Sequence, residues 1–146
     1  MKVGKLDHYT IRTTDLDASR KFYTEVMGFT VGHRPPFKFP GLWIYNGGSF
    51  PDTYGVVHII HVDPNDKEAL NAYMGDRYDV NMMQGTGTVD HMAFRATGFQ
   101  ETKTKLRGMN IPFREATVPA LGLHQVFLED PSDVTIELNF FANDQG

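Results

Sequence analysis

The sequence predicts an α+β fold made of two copies of one strand–helix–strand–strand–strand module. Three observations carry that expectation: a nine-residue segment recurs, each copy runs into a helix-like stretch, and each helix is followed by three short strand-like segments. The recurring segment is Leu6-Asp7-His8-Tyr9-Thr10-Ile11-Arg12-Thr13-Thr14, matched by Val89-Asp90-His91-Met92-Ala93-Phe94-Arg95-Ala96-Thr97. Asp, His, Arg and the final Thr coincide at one spacing, and apolar residues fill the first and sixth places of both.

The elements follow in order. Leu16 to Met27 reads as a helix with Phe22, Tyr23, Val26 and Met27 on one face, Asp15 as its N-cap and Gly28 as its stop. Strands are expected at Phe29 to His33, Leu42 to Asn46 and Tyr54 to Val62, with Gly47-Gly48 as a turn. In the second half Phe99 to Arg107 reads as a helix, with Phe99, Thr102 and Leu106 inward and Gly108 as the stop. Strands follow at Phe113 to Val118, His124 to Leu128 and Val134 to Phe140, and Asp130-Pro131-Ser132-Asp133 is a turn. Asp63 to Thr88 links the halves, with a short helix expected over Asn65 to Met74 and Gly85-Thr86-Gly87 at its end. The expected organisation is one domain, 1–146, with module one over about 1–64, a linker over about 65–86 and module two over about 87–142.

Composition narrows the function. A chain of 146 residues is long enough to bury a core without staples. It has no cysteine, so disulfides, thiolate metal sites and a cysteine nucleophile are excluded. Any metal must be held by imidazole, carboxylate or water, which suits zinc, iron, nickel, cobalt or manganese better than soft copper. A net charge of -4 and the lack of a long lysine or arginine run argue against nucleic acid as a partner. No apolar stretch reaches the length of a membrane span, and the first residues lack the apolar core of a signal peptide, so a cytoplasmic protein is expected.

The candidate site comes from strand alternation. Residues two apart share a face, so His8, Thr10 and Arg12 lie together, as do His91, Ala93 and Arg95. The last strand of each module carries one polar residue among apolar ones, His58 between Val57 and Ile59 and Glu137 between Ile136 and Leu138. A glutamate in that setting needs a cation or strong hydrogen bonds. Three imidazoles and a carboxylate brought together by the repeat would suit one divalent metal ion, so His8, His58, His91 and Glu137 are the candidate ligands. His61 has the opposite parity to His58, and His33 and His61 are expected to be ordinary core or surface histidines. His124, near the last turn, is a candidate for the pocket wall.

With those residues in view, the chain resembles the vicinal oxygen chelate superfamily, the group of glyoxalase I, fosfomycin-resistance proteins, methylmalonyl-CoA epimerase and extradiol dioxygenases. The resemblance covers nearly the whole chain. It rests on His8, on Asp15-Leu16-Asp17-Ala18-Ser19-Arg20-Lys21-Phe22-Tyr23 with Met27-Gly28-Phe29, on Asp90-His91, and on Phe127-Leu128-Glu129-Asp130-Pro131-Ser132-Asp133 leading to Ile136-Glu137-Leu138. It implies two βαβββ modules whose sheets curl into a partial barrel around a metal, with His8, His58, His91 and Glu137 as the ligands and room for substrate oxygens on the ion. Two departures from the family patterns stand out. Glyoxalase I enzymes usually have glutamate where His58 stands, and extradiol dioxygenases usually have a tyrosine where Phe127 stands.

The expected function is that of a metal-dependent lyase or isomerase of the glyoxalase type, acting on a small molecule with neighbouring oxygens. Glu137 would take the proton next to a carbonyl, Arg12 and Arg95 would orient an anionic substrate, and Trp43, Tyr45 and Phe127 would form walls. One alternative is an Fe(II)-dependent extradiol-type ring-cleaving dioxygenase. Another is a non-catalytic small-molecule binding protein. A phosphonate transferase of the fosfomycin type is disfavoured by the lack of a basic cluster. A homodimer is expected, and the prolines and aromatics of Arg34-Pro35-Pro36-Phe37-Lys38-Phe39-Pro40-Gly41 suggest a stiff lid, a dimer contact or a plain connection.

Overall fold

The computed structural model describes residues 6, 8–66, 68, 84–85, 91–119 and 122–142. The chain divides into two compact units, 1–83 and 84–146, with the boundary inside the expected linker. The helix expected over Asn65 to Met74 lies largely outside the described residues, as do Asp7 and Asp90 of the repeat. Among the described residues no helix is long and apolar enough to cross a membrane.

The first unit runs β1 (Tyr9–Thr13), α1 (Leu16–Lys21), a π-helical segment (Phe22–Val26), β2 (Thr30–Val31), β3 (Gly41–Tyr45) and β4 (Val57–His61). Its sheet has the order β1-β4-β3-β2, with β1 parallel to β4 and the other neighbours antiparallel. Tyr9, Ile11 and Thr13 of β1 are buried while Thr10 is exposed. Val57 and Ile59 of β4 lie beside Tyr9 and Ile11 and are buried with them. The helical stretch adds Phe22 and Tyr23 to this core, and the Tyr9 hydroxyl donates to that of Tyr23 at 3.3 Å. Each such aliphatic side chain contributes roughly 1.5–3 kcal/mol on burial, so the face that carries Ile11, Val57 and Ile59 is committed to the core.

Asp15 caps α1 as expected: its carboxylate accepts from the Ala18 N–H at 2.9 Å. Buried Thr13 links strand and helix, its hydroxyl donating to the Asp15 carbonyl at 3.0 Å and accepting from the Ser19 hydroxyl at 3.0 Å. The regular helix stops at Lys21 rather than Met27, because the next five residues form a π turn. A π turn takes one residue more than an α turn. The stretch from Leu16 to positive-φ Gly28 is likewise one residue longer than its counterpart from Phe99 to positive-φ Asn110. β2 is shorter than the expected Phe29 to His33. The Tyr45 ring occupies the space a Cβ on Gly32 would need, and Pro35 and Pro36 have no N–H to donate.

The second unit runs β5 (Met92–Arg95), α2 (Phe99–Gly108), β6 (Phe113–Val118), β7 (Leu123–Glu129) and β8 (Thr135–Phe141). Its order is β5-β8-β7-β6, the connectivity of the first unit, with β5 parallel to β8. β6 has the bounds read from the sequence. α2 reaches Gly108, and the residue in the left-handed conformation beyond it is Asn110, not Gly108. The β7–β8 turn is organised by Asp130, which is 3 % exposed. Its Oδ1 accepts from the Ser132 N–H at 2.8 Å and the Val134 N–H at 2.9 Å, so the turn that sets the β8 register is held by one buried carboxylate.

Candidate functional site

The two sheets present matching residues at matching places. Thr10, two after His8, lies opposite His58, and Ala93, two after His91, lies opposite Glu137. On the next strand His58 faces Trp43, and Glu137 faces Phe127. Directly opposed residues share a face, so each unit carries its two candidate ligands and one aromatic on the same side.

In the first unit the His8 and His58 rings stack at 3.8 Å, and the Trp43 ring stacks on His58 at 4.1 Å with an interplanar angle of 4°. His58 Nε2 lies 2.8 Å from the Tyr54 carbonyl oxygen. A carbonyl can only accept, so Nε2 carries the proton, and in the neutral ring Nδ1 keeps the lone pair. These rings border a cavity of about 350 Å³ that Thr10, Arg34 and Tyr54 also line. Arg34, Phe37, Phe39 and Tyr54 belong to connections whose place on the site strand alternation does not reveal. Arg12 shares the β1 face of Thr10 and lies opposite Ile60.

Tyr45, expected as a pocket wall, lies in a buried place. It is 2 % exposed, its ring lies against Gly32, and its hydroxyl donates to the His33 carbonyl at 2.9 Å. Burial, with a smaller effect from Tyr54, pushes its pKa above the usual tyrosine value. It buttresses β3 instead of lining the cavity.

In the second unit the Glu137 carboxylate is buried, at 5 % residue exposure. His91 Nε2 lies 2.9 Å from Oε2, and Gln125 Nε2 donates to Oε1 at 2.8 Å and to Asn139 Oδ1 at 3.2 Å. Among the described residues Glu137 forms no salt bridge with lysine or arginine, so an imidazole and an amide are what stabilise it. Phe127 stands edge-on to His91, with the Arg114 guanidinium 3.6 Å from its ring centroid. Gln125, Asn139 and Arg114 were missed from the sequence. Alternation from Glu137 finds Asn139, but Gln125 and Arg114 need the cross-strand register. Arg95 lies on the same face of the sheet, 4.4 Å from the Phe141 ring centroid.

His124, expected in the pocket wall, sits elsewhere on the second sheet. It lies opposite Phe140 and Thr117, on the face away from Glu137. Its ring stacks on Phe99 of α2 at 4.7 Å and borders a hollow of about 540 Å³ at the start of that helix. The larger hollow is therefore not the one beside the candidate ligands, and chemistry rather than size identifies the site.

The donors fit a metal in kind. Two ligands each about 2.1 Å from an ion and at right angles to each other are about 3.0 Å apart, close to the 2.9 Å between His91 Nε2 and Glu137 Oε2. The same separation serves a hydrogen bond between the two side chains. Among the described residues no group of three or more His, Asp or Glu gathers to hold an ion. What each unit offers is a pair.

Residues 5–138 match the family profile of the Glyoxalase/Bleomycin resistance protein/Dioxygenase superfamily. The chain is 24% identical over 141 residues to a protein named Glyoxylase I 4 from Arabidopsis thaliana, covering 94% of this chain and 71% of that one. Its fold is similar to that of lactoylglutathione lyase from Agrobacterium tumefaciens, with a TM-score of 0.60, 20% identity and 96% of each chain covered. It is also similar to the fosfomycin resistance protein FosX from Listeria monocytogenes, with a TM-score of 0.65, 12% identity and 98% of each chain covered.

Proposed function

The chain belongs to the Glyoxalase/Bleomycin resistance protein/Dioxygenase superfamily, and we propose that it is a metal-dependent lyase or isomerase of the glyoxalase type, moving a proton next to a carbonyl on a small molecule with neighbouring oxygens. The observation that carries this reading is the buried Glu137 carboxylate held between His91 and Gln125. In it, His8, His58, His91 and Glu137 hold one divalent ion, zinc, iron, nickel, cobalt or manganese, and the protein works as a homodimer in the cytoplasm. The ion supplies Lewis acidity to the substrate oxygens.

The chain's own residues do the rest. Glu137 Oε2, released from His91, takes the proton from the carbon beside the carbonyl. Gln125 keeps its N–H on Oε1, fixing the plane of the carboxyl so that Oε2 delivers the proton to the adjacent carbon. His58, its Nε2 tied to the Tyr54 carbonyl, offers Nδ1 as donor atom. Arg12 and Arg95 orient an anionic substrate. The name of the Arabidopsis relative supports this chemistry. Phe127 opposite Glu137 weighs against ring-cleaving oxygen chemistry, because a phenyl ring gives neither a proton nor a hydrogen bond.

Elemental analysis of protein purified without chelators or metal-affinity steps tests the reading, with Glu137→Ala alongside. Stoichiometric metal that is lost in the variant is the expected result. Bound iron with oxygen consumption on a catechol would transfer the assignment to a dioxygenase, and no metal after reconstitution would overturn it.

A further inference from the structure

We propose that the cavity of the first unit binds the planar, conjugated part of an anionic small molecule, with Arg34 taking its negative charge. The proposal rests on the reading of the His8–His58 face as the substrate side. The cavity wall is largely aromatic, formed by Trp43, Phe37, Phe39 and Tyr54 together with the two imidazoles. The rings lie in flat, nearly parallel sets: Trp43 on His58 at 4° and Phe37 on Phe39 at 14° with centroids 5.3 Å apart. Phe37 is tilted 49° from Trp43 with centroids 6.3 Å apart, so the two sets meet as a wedge and a flat ligand would stack on one set. Phe37 is 43% exposed and Tyr54 52%, so two rims of the cavity hold apolar area that a ligand would cover. A volume of about 350 Å³ is at the small end of ligand pockets, which suits one ring or two fused rings.

The charge comes from Arg34. Its Nη2 donates to the Phe39 carbonyl at 2.7 Å, and its guanidinium lies 5.0 Å and 5.1 Å from the Phe37 and Phe39 ring centroids. Among the described residues it has no carboxylate partner. A guanidinium has five N–H donors in a rigid fork, and one carbonyl leaves most of them for an anion. Pro35, Pro36 and Pro40 restrict the segment that carries these groups, which lowers the entropy lost when a ligand settles on it.

Isothermal titration calorimetry with three probes tests this on metal-free and metal-loaded protein. The probes are trans-cinnamate, 3-cyclohexylpropanoate with the charge but no flat ring, and cinnamyl alcohol with the ring but no charge. Emission from Trp43, the chain's one tryptophan, is the second readout. Cinnamate is expected to bind about tenfold or more tightly than either control, to alter Trp43 emission, and to lose about tenfold or more in Arg34→Gln. Arg34→Lys is expected to keep part of the affinity. Equal binding of 3-cyclohexylpropanoate overturns the planar requirement. Equal binding of cinnamyl alcohol, or undiminished cinnamate binding by folded Arg34→Gln, overturns the role of Arg34. If that variant does not fold, the three probes on the parent protein decide. Cinnamate binding without any metal uptake would uphold this inference and refute the metal-dependent function. Metal uptake with no cinnamate binding would do the reverse.

Discussion

Asp130→Ala removes the acceptor that organises the β7–β8 turn. In the native chain Oδ1 receives two backbone N–H groups, those of Ser132 and Val134, at 2.8 Å and 2.9 Å, and Asp130 is 3 % exposed. A hydrogen bond to a charged group contributes about 1.5–3 kcal/mol. The pair would then reach about 3–6 kcal/mol in a rigid, dry site. Pro131 and Asp133 are exposed, so water can enter the emptied turn and recover part of that. The expected loss is about 2–3 kcal/mol, or about 6–10 °C in melting temperature for a chain of this size. Asp130→Asn keeps an Oδ1 acceptor and should lose about 1 kcal/mol. Urea unfolding of the three proteins at neutral pH, followed by circular dichroism, measures both differences. If Asp130→Ala unfolds within about 0.5 kcal/mol of the parent, or Asp130→Asn loses as much as alanine, the carboxylate does not hold this turn.

Three further outcomes are expected. Tyr45→Phe should cost about 1 kcal/mol at neutral pH through the lost bond to the His33 carbonyl. Because the folded pKa of Tyr45 is raised above 10.0, the parent loses stability as the unfolded chain ionises above that pH, and the gap to the phenylalanine variant should narrow in alkaline unfolding titrations. Gln125→Leu should weaken zinc affinity about 10–100-fold in competition with a chromophoric chelator, since the amide that orients Glu137 is gone; unchanged affinity would remove Gln125 from the site. Gly41→Ala should destabilise by about 2 kcal/mol or more, because the new Cβ collides with the Ile59 carbonyl on the neighbouring strand; melting curves that superimpose on the parent would refute the clash.

The legible parts of the fold were those fixed by local chemistry. Asp15 reads as a cap because a carboxylate there meets free N–H groups, and β6 reads correctly because Phe113 to Val118 alternates between clear boundaries. The paired His8 and His91 were legible through the repeat, and so was the equivalence of His58 and Glu137, which the register reproduces. What stayed hidden depends on groups distant in sequence. His124 lies near a turn in the sequence, whereas the pairing of β7 with β8 fixes its face. Tyr45 has the parity of Trp43, yet Gly32, just past the neighbouring strand β2, gives its ring a buried place. Gln125 and Arg114 reach the Glu137 side only through antiparallel register, which one sequence does not state.

The π turn at Phe22–Val26 has a consequence for how the chain tolerates change in length. The one surplus residue of the first helical stretch is accommodated there and is not passed on to the strands. Gly28 closes the stretch as Asn110 closes its shorter counterpart, so the sheets beyond keep equivalent pairings and His58 still arrives opposite Thr10. Insertions and deletions that would slip a strand, and turn a donor to the wrong side, can be taken up in one widened helical turn. The first helix thus serves as a joint of adjustable length, and the strands of its own sheet can keep their register while the helical stretch lengthens or shortens.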